Sequence, residues 1–218
     1  MPSLQTLRDL DDHPHPLKLK KSKAPFICDG CKVEGFGFCY QCTEGCDFFF
    51  HKECGIRRPP ACQKFFEGCE FKFHKKNPLG GDRICDVCAL DIQGFLYQST
   101  CRKNPNVLHP CCANLPMIIS PPYTDMKIYL CNKIKTECLK CGSKKRSADK
   151  VQGFSYASSD GEFCYHVACL REVGVENWIK SYCQPDVIAD NENKPLSLID
   201  LALKKVAPVG MGAKARKQ

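Results

Sequence analysis

Apolar and polar positions alternate over three short stretches, Leu17-Lys18-Leu19, Phe71-Lys72-Phe73 and Ile128-Tyr129-Leu130. A period of two predicts short strands with one buried face. After each stretch, a Gly-Phe-x-Tyr recurs at Gly37-Phe38-Cys39-Tyr40, Gly94-Phe95-Leu96-Tyr97 and Gly153-Phe154-Ser155-Tyr156. It reads as a second hairpin strand with Phe and Tyr on one face. The period lengthens only late, at Leu170 to Tyr182 and Ser197 to Val206, which predict helices. Residues 184–195 read as a polar loop and 207–218 as a disordered basic tail.

Cysteine and histidine fall on the same three-fold grid. A Cys-x-x-Cys stands at Cys28/Cys31, Cys85/Cys88 and Cys138/Cys141, and a His-x-x-Cys at His51/Cys54, His109/Cys112 and His166/Cys169. Four features in one order, three times, mark an internal repeat. Cys-x-x-Cys predicts a tight knuckle in which Gly30 supplies positive φ. His-x-x-Cys is an i, i+3 pair, so a helix starting there points both side chains the same way. Phe48-Phe49-Phe50 supplies a small apolar core. The expected layout is a tail at 1–12, modules at 13–63, 64–122 and 123–183, and a polar loop, short helix and basic tail at 184–218. The expected fold class is small zinc-stabilised α+β: three tandem treble-clef-like zinc modules with little regular structure, then C-terminal helices.

The 218 residues hold 19 Cys and six His. That density belongs to chains stapled by disulfides or metals. Histidines at fixed offsets from cysteines favour zinc, since disulfides do not need them. The first ten residues lack the apolar core of a secretory signal, and no stretch approaches a membrane span. An intracellular protein of cytoplasm or nucleus is expected, where disulfides are not relied upon. The net charge of +8 falls to roughly +4 once four Cys3His zinc sites carry about −1 each. It is weak ground for nucleic-acid binding, and the run Lys140, Lys144, Lys145, Arg146 reads as an exposed loop.

The first repeat holds eight ligands for two metals: His15, Cys28, Cys31, Cys42, Cys46, His51, Cys54 and Cys62. With His13-Pro14-His15-Pro16-Leu17, Cys28-Asp29-Gly30-Cys31 and Cys46-Asp47-Phe48-Phe49-Phe50-His51-Lys52-Glu53-Cys54, it resembles the C1 zinc finger of lipid-regulated kinases. It is closer to the plant divergent C1 family of cysteine/histidine-rich proteins. The resemblance, which extends over residues 13–180, implies interleaved sites, His15, Cys42, Cys46 and Cys54 for one zinc and Cys28, Cys31, His51 and Cys62 for the other. Cys42 and Cys46 are one residue further apart than usual. Cys39 reads as a buried or spare thiol.

The later repeats are sparser. The second keeps Cys85, Cys88, His109 and Cys112, with Cys69 where His15 would align and a single Cys101 near Cys42/Cys46. His74, Cys111 and Cys131 are further candidates for a second metal there. The third keeps Cys138, Cys141, His166 and Cys169, with Cys164 nearby. About four structural zinc ions are expected.

A zinc filled by four protein ligands offers no position for substrate, so a non-catalytic interaction protein is the leading expectation. The resemblance implies plant signalling or stress responses through protein contacts. Acidic lipid is a second partner class, through Lys18, Lys20, Lys21 and Lys23. Diacylglycerol binding is disfavoured because only ten residues separate Cys31 from Cys42. The competitors are disulfide reductase activity through Cys-x-x-Cys and a ubiquitin ligase, since Cys138 to Cys169 resembles half a RING finger. There Glu172 stands where the next ligand is needed.

Overall fold

The computed structural model describes residues 6–7, 12–66, 68–101, 104–120, 125–146 and 151–182. The expected helix at Ser197–Val206, the polar loop and the basic tail lie outside the described residues.

Each alternating run forms the strand foreseen for it. The first sheet, ordered β1-β2-β5-β6, comprises β1 (Thr6–Leu7), β2 (Leu17–Lys21), β5 (Phe38–Cys42) and β6 (Phe49–His51). A two-stranded ribbon, β3 (Phe26–Ile27) and β4 (Glu34–Gly35), carries the first knuckle between its strands. Helix α1 (Lys52–Ile56) and a 3-10 turn at Ala61–Phe65 follow. The second sheet, β7-β8-β9, comprises β7 (Phe71–His74), β8 (Leu96–Ser99) and β9 (Val107–Leu108), and leads into α2 (Pro110–Ala113). The third sheet, β10-β11-β12-β13, comprises β10 (Ile118–Ile119), β11 (Ile128–Cys131), β12 (Ser155–Ser158) and β13 (Cys164–His166). Helix α3 (Val167–Tyr182) closes the described chain.

One register recurs. Leu17 pairs Cys42, Phe71 pairs Ser99 and Ile128 pairs Ser158. Two residues on, Leu19, Phe73 and Leu130 face Tyr40, Tyr97 and Tyr156. All three tyrosines are buried, as the alternation requires.

The knuckles share a turn closed in both directions. The N–H after the second Cys donates to the carbonyl of the first: Lys32 to Cys28 (2.8 Å), Ala89 to Cys85 (2.9 Å) and Gly142 to Cys138 (2.8 Å). The first Cys N–H donates in return to Val33, Leu90 and Ser143. That closure puts the left-handed residue after the second Cys, at Lys32 (φ 61°), Ala89 (φ 55°) and Gly142 (φ 63°). Gly30 is therefore not the positive-φ residue expected. It is small for a different reason: a Cβ there would lie 2.5 Å from the Phe95 ring.

That contact belongs to a junction built twice. Phe95 N–H donates to Gly30 O (2.8 Å), and Tyr97 hydroxyl donates to Arg58 O (2.5 Å). Phe154 N–H donates to Val87 O (2.7 Å), and Tyr156 hydroxyl donates to Pro116 O (2.7 Å). Gly30 and Val87 are the third residues of their knuckles, and Arg58 and Pro116 each lie four residues past a His-x-x-Cys cysteine. Gly-Phe-x-Tyr thus seats each sheet on the knuckle before it. The first copy has no such neighbour among the described residues, and Phe38 is 44% exposed while Phe95 and Phe154 are buried.

The core lies in two clusters. One gathers Leu17, Tyr40 and Phe50 of the first sheet with Phe95 of the second. The larger joins the second and third sheets around Leu108, Ile128, Phe154 and Tyr156.

Candidate metal centres

Each helix begins directly after its histidine, so His-x-x-Cys spans one turn and aims both side chains at the knuckle. Ligand atoms converge in four groups, each within 4.8 Å of one another: His13, His15, Cys42 and Cys46; Cys28, Cys31, His51 and Cys54; Cys85, Cys88, His109 and Cys112; Cys138, Cys141, His166 and Cys169.

These spacings fit zinc. A tetrahedral ion with ordinary Zn–S and Zn–N bonds holds sulfur and imidazole nitrogen about 3.6 Å apart. His51 Nδ1 lies 3.3 Å from Cys31 Sγ and 4.0 Å from Cys54 Sγ. His109 Nδ1 lies 3.3 Å from Cys88 Sγ and 3.9 Å from Cys112 Sγ. His166 Nδ1 lies 3.5 Å from Cys141 Sγ and 3.7 Å from Cys169 Sγ. In the outer group, His15 Nδ1 is 3.2 Å from Cys46 Sγ and 3.7 Å from Cys42 Sγ. Each group could hold one zinc.

The surroundings support the same chemistry. His109 Nε2 lies 3.0 Å from the Asp91 carbonyl, a contact that leaves Nδ1 for a metal. His51 N–H points at Cys28 Sγ (3.3 Å), and Glu44 N–H at Cys42 Sγ (3.3 Å). A Cβ on Gly35 would meet His51 Nε2 at 2.2 Å, so that glycine gives the imidazole its room. Two arginines face sulfurs: Arg146 Nη1 lies 2.8 Å from Cys169 Sγ, and Arg171 Nη2 lies 3.4 Å from Cys112 Sγ.

The thiols respond to this packing. Cys31 and Cys54 hold Cys28 far down as a thiolate against the opposing pull of burial. Cys169 draws Cys138 down to about 3. Burial pushes His109 down, but the Cys112 and Cys88 sulfurs outweigh it and raise the imidazole to about 10. Burial also raises Cys42, yet His13 and nearby backbone N–H groups bring it to about 6.

The grouping corrects the one implied by resemblance. Cys54 sits with Cys28, Cys31 and His51, because one helical turn holds it beside His51. Cys62 joins none of the four groups. Arg57 turns left-handed (φ 52°) and Pro59-Pro60 follow, and this carries Cys62 into the larger core. Burial there raises its thiol to about 12. His13 takes the fourth place in the outer group. Its signal was in the sequence, since His13 and His15 are two apart and an extended chain puts such residues on one face.

Cys69 and Cys101 are joined by a disulfide. The second metal considered for the second repeat is therefore not assembled, and the expectation that disulfides are not relied upon is corrected at this pair. Cys39 is buried outside the groups and accepts a bond from Gln41 Nε2 (3.2 Å). Cys111, Cys131, Cys164 and His74 also stand outside them.

The family model described as the C1 domain matches residues 11–55. It covers the two groups at the first sheet and supports a C1-type family for that segment. No curated protein and no solved structure matches the chain.

Proposed function

We propose that the protein is a non-catalytic zinc-binding interaction protein, three C1-like modules stacked on one another, and that it acts as an adaptor in plant intracellular signalling or stress responses. The observation that carries this reading is the composition of the four groups. Each offers four protein ligands, so a bound zinc is coordinatively filled and serves the fold. The two junctions, built from the same pair of hydrogen bonds, support a stack that presents one extended surface. The zinc-loaded chain is expected to show no insulin-disulfide reduction and to hold its protein partners only while metal is bound. Catalytic reduction by the loaded chain, or partner binding indifferent to a chelator, would sink the reading.

A second reading is contact with an acidic lipid surface. Ile27 is 57% exposed and Phe38 is exposed next to Lys21, its cross-strand partner, with Lys20 and Lys23 exposed nearby. Among the described residues no helix is long and apolar enough to cross a membrane. Sedimentation with phosphatidylserine vesicles, with and without diacylglycerol, separates surface attraction from specific lipid recognition.

A further inference from the structure

The outer group differs from the other three in composition and setting. It has two imidazoles and two thiolates, which leave a bound zinc neutral, whereas each inner group has three thiolates. Cys46 is exposed and His13 and His15 are half-buried, whereas the Cys28 and Cys85 groups are wholly buried and the Cys138 group exposes only Cys141. His13 Nε2 is buried and has no hydrogen-bond partner.

The residue before His13 reaches the second sheet. Asp12 Oδ2 pairs with Arg57 Nη2 at 2.8 Å, and Asp12 Oδ1 pairs with Lys75 Nζ, just past β7, at 2.9 Å. The Arg57 guanidinium lies over the rings of Phe73 (4.9 Å) and Phe95 (5.4 Å). A second path runs through rings: His13 stacks on Phe48 (4.2 Å), Phe48 packs on Phe50 (4.9 Å), and Phe50 on Phe95 (5.5 Å). Both paths end at Phe95, whose N–H makes the junction bond to Gly30.

We propose that His13, His15, Cys42 and Cys46 form an exchangeable zinc site, completed by His13 in place of Cys54, whose occupancy tightens the junction between the first and second sheets. A zinc held there ties residues 13–15 to Cys42 and Cys46. Asp12 is then fixed beside Arg57 and Lys75, and His13 against Phe48. Loss of that ion frees the segment that carries the clamp while the three inner ions stay. Zinc availability is thus converted into stiffness between two parts of the stack. The inference rests on the proposed zinc-binding reading.

The test uses the full zinc-loaded chain, a chromogenic chelator, native mass spectrometry and amide hydrogen exchange. Four zincs are expected, one leaving at least about tenfold faster than the rest, the scale on which supporting contacts tune metal affinity. His13→Ala and Cys46→Ser should each lose that one zinc, His13→Cys should keep it, and Cys62→Ala should retain all four. Protection of the Phe95 amide should fall as the fast zinc leaves. It should also fall in Asp12→Asn with four zincs still bound. The proposal is overturned if His13→Ala keeps four zincs, if Cys62→Ala loses the fast one, if all four leave together, or if Phe95 protection does not change. A wild-type chain that takes up no zinc at all would instead refute the zinc reading itself.

Discussion

The first and second sheets start from the same strand pairing and close its end in different ways. Two residues before the first strand stand His15 in one and Cys69 in the other. Across from them, just past Cys42 and Ser99, lie Cys46 and Cys101. The first sheet gathers a four-ligand metal group there; the second makes a covalent bond, Cys69–Cys101. The third sheet does neither. Met126 and Asp160 occupy the two places, and the turn is held by hydrogen bonds from Phe163 N–H to Ser158 Oγ (3.0 Å) and from Glu162 N–H to Asp160 Oδ1 (3.0 Å). A small sheet needs its open end tied, and ion, disulfide and polar turn all meet that need. The knuckle end is treated alike in all three, with two thiols, an imidazole and a third thiol.

The comparison predicts unequal responses. Removing all metal should have the largest effect, because structural zinc contributes about 10–16 kcal/mol to small domains. Exhaustive chelation should abolish the cooperative unfolding transition, and a metal-free chain that still unfolds cooperatively would break the comparison at its root. Reduction of Cys69–Cys101, or Cys69→Ser, should cost about 2–4 kcal/mol. The metal count should not change, as read by denaturant titration alongside mass spectrometry. Gly94→Ala should cost about 1–3 kcal/mol by overpacking, since its Cβ would lie 2.0 Å from Gly30 O. Gly37→Ala, the same repeat position on the first sheet, should cost less, about 1 kcal/mol, as only positive φ (79°) opposes it. Equal thermal shifts for the two would mean that the Gly94 junction is not a packed interface.

A last effect is on proton uptake. With the other three ions in place and this group empty, the Cys112 and Cys88 sulfurs outweigh burial and raise His109 to about 10. The stability that this proton contributes is complete below the ordinary histidine range near 6.5 and is lost as pH rises through about 10. Zinc must displace this proton, so affinity at that group should climb up to about tenfold per pH unit across the window. Calorimetry in buffers of different ionisation enthalpy reads the released proton.

Much of this was legible from spacing. Local geometry assembles the three knuckle groups, because Cys-x-x-Cys closes on itself and His-x-x-Cys spans one helical turn, yet in the first the implied set put Cys62 where Cys54 stands. The reading failed where the outcome depended on distant chain paths. Whether Cys62 comes back to the first sheet is decided by the left-handed Arg57 and the prolines after it, and these send it into the larger core. Gly30 looked like a turn residue because its knuckle is tight, but the constraint comes from Phe95, 65 residues on. The Cys69–Cys101 bond was unreadable for a like reason, as both cysteines were equally good metal candidates until β7 and β8 brought them together. Phe38, Phe95 and Phe154 share one motif, yet their burial differs with what precedes each sheet.

The third knuckle ends differently from the first two. Lys140 takes the place of Gly30 and Val87, and its ammonium is bound by Glu172 (3.2 Å) and Glu176 (2.5 Å) of α3, while Arg146 also pairs with Glu172. A helix and a knot of opposite charges stand where the earlier copies send out a linker. The first two knuckles are thus each capped by the sheet that follows, and the third by charges of its own helix.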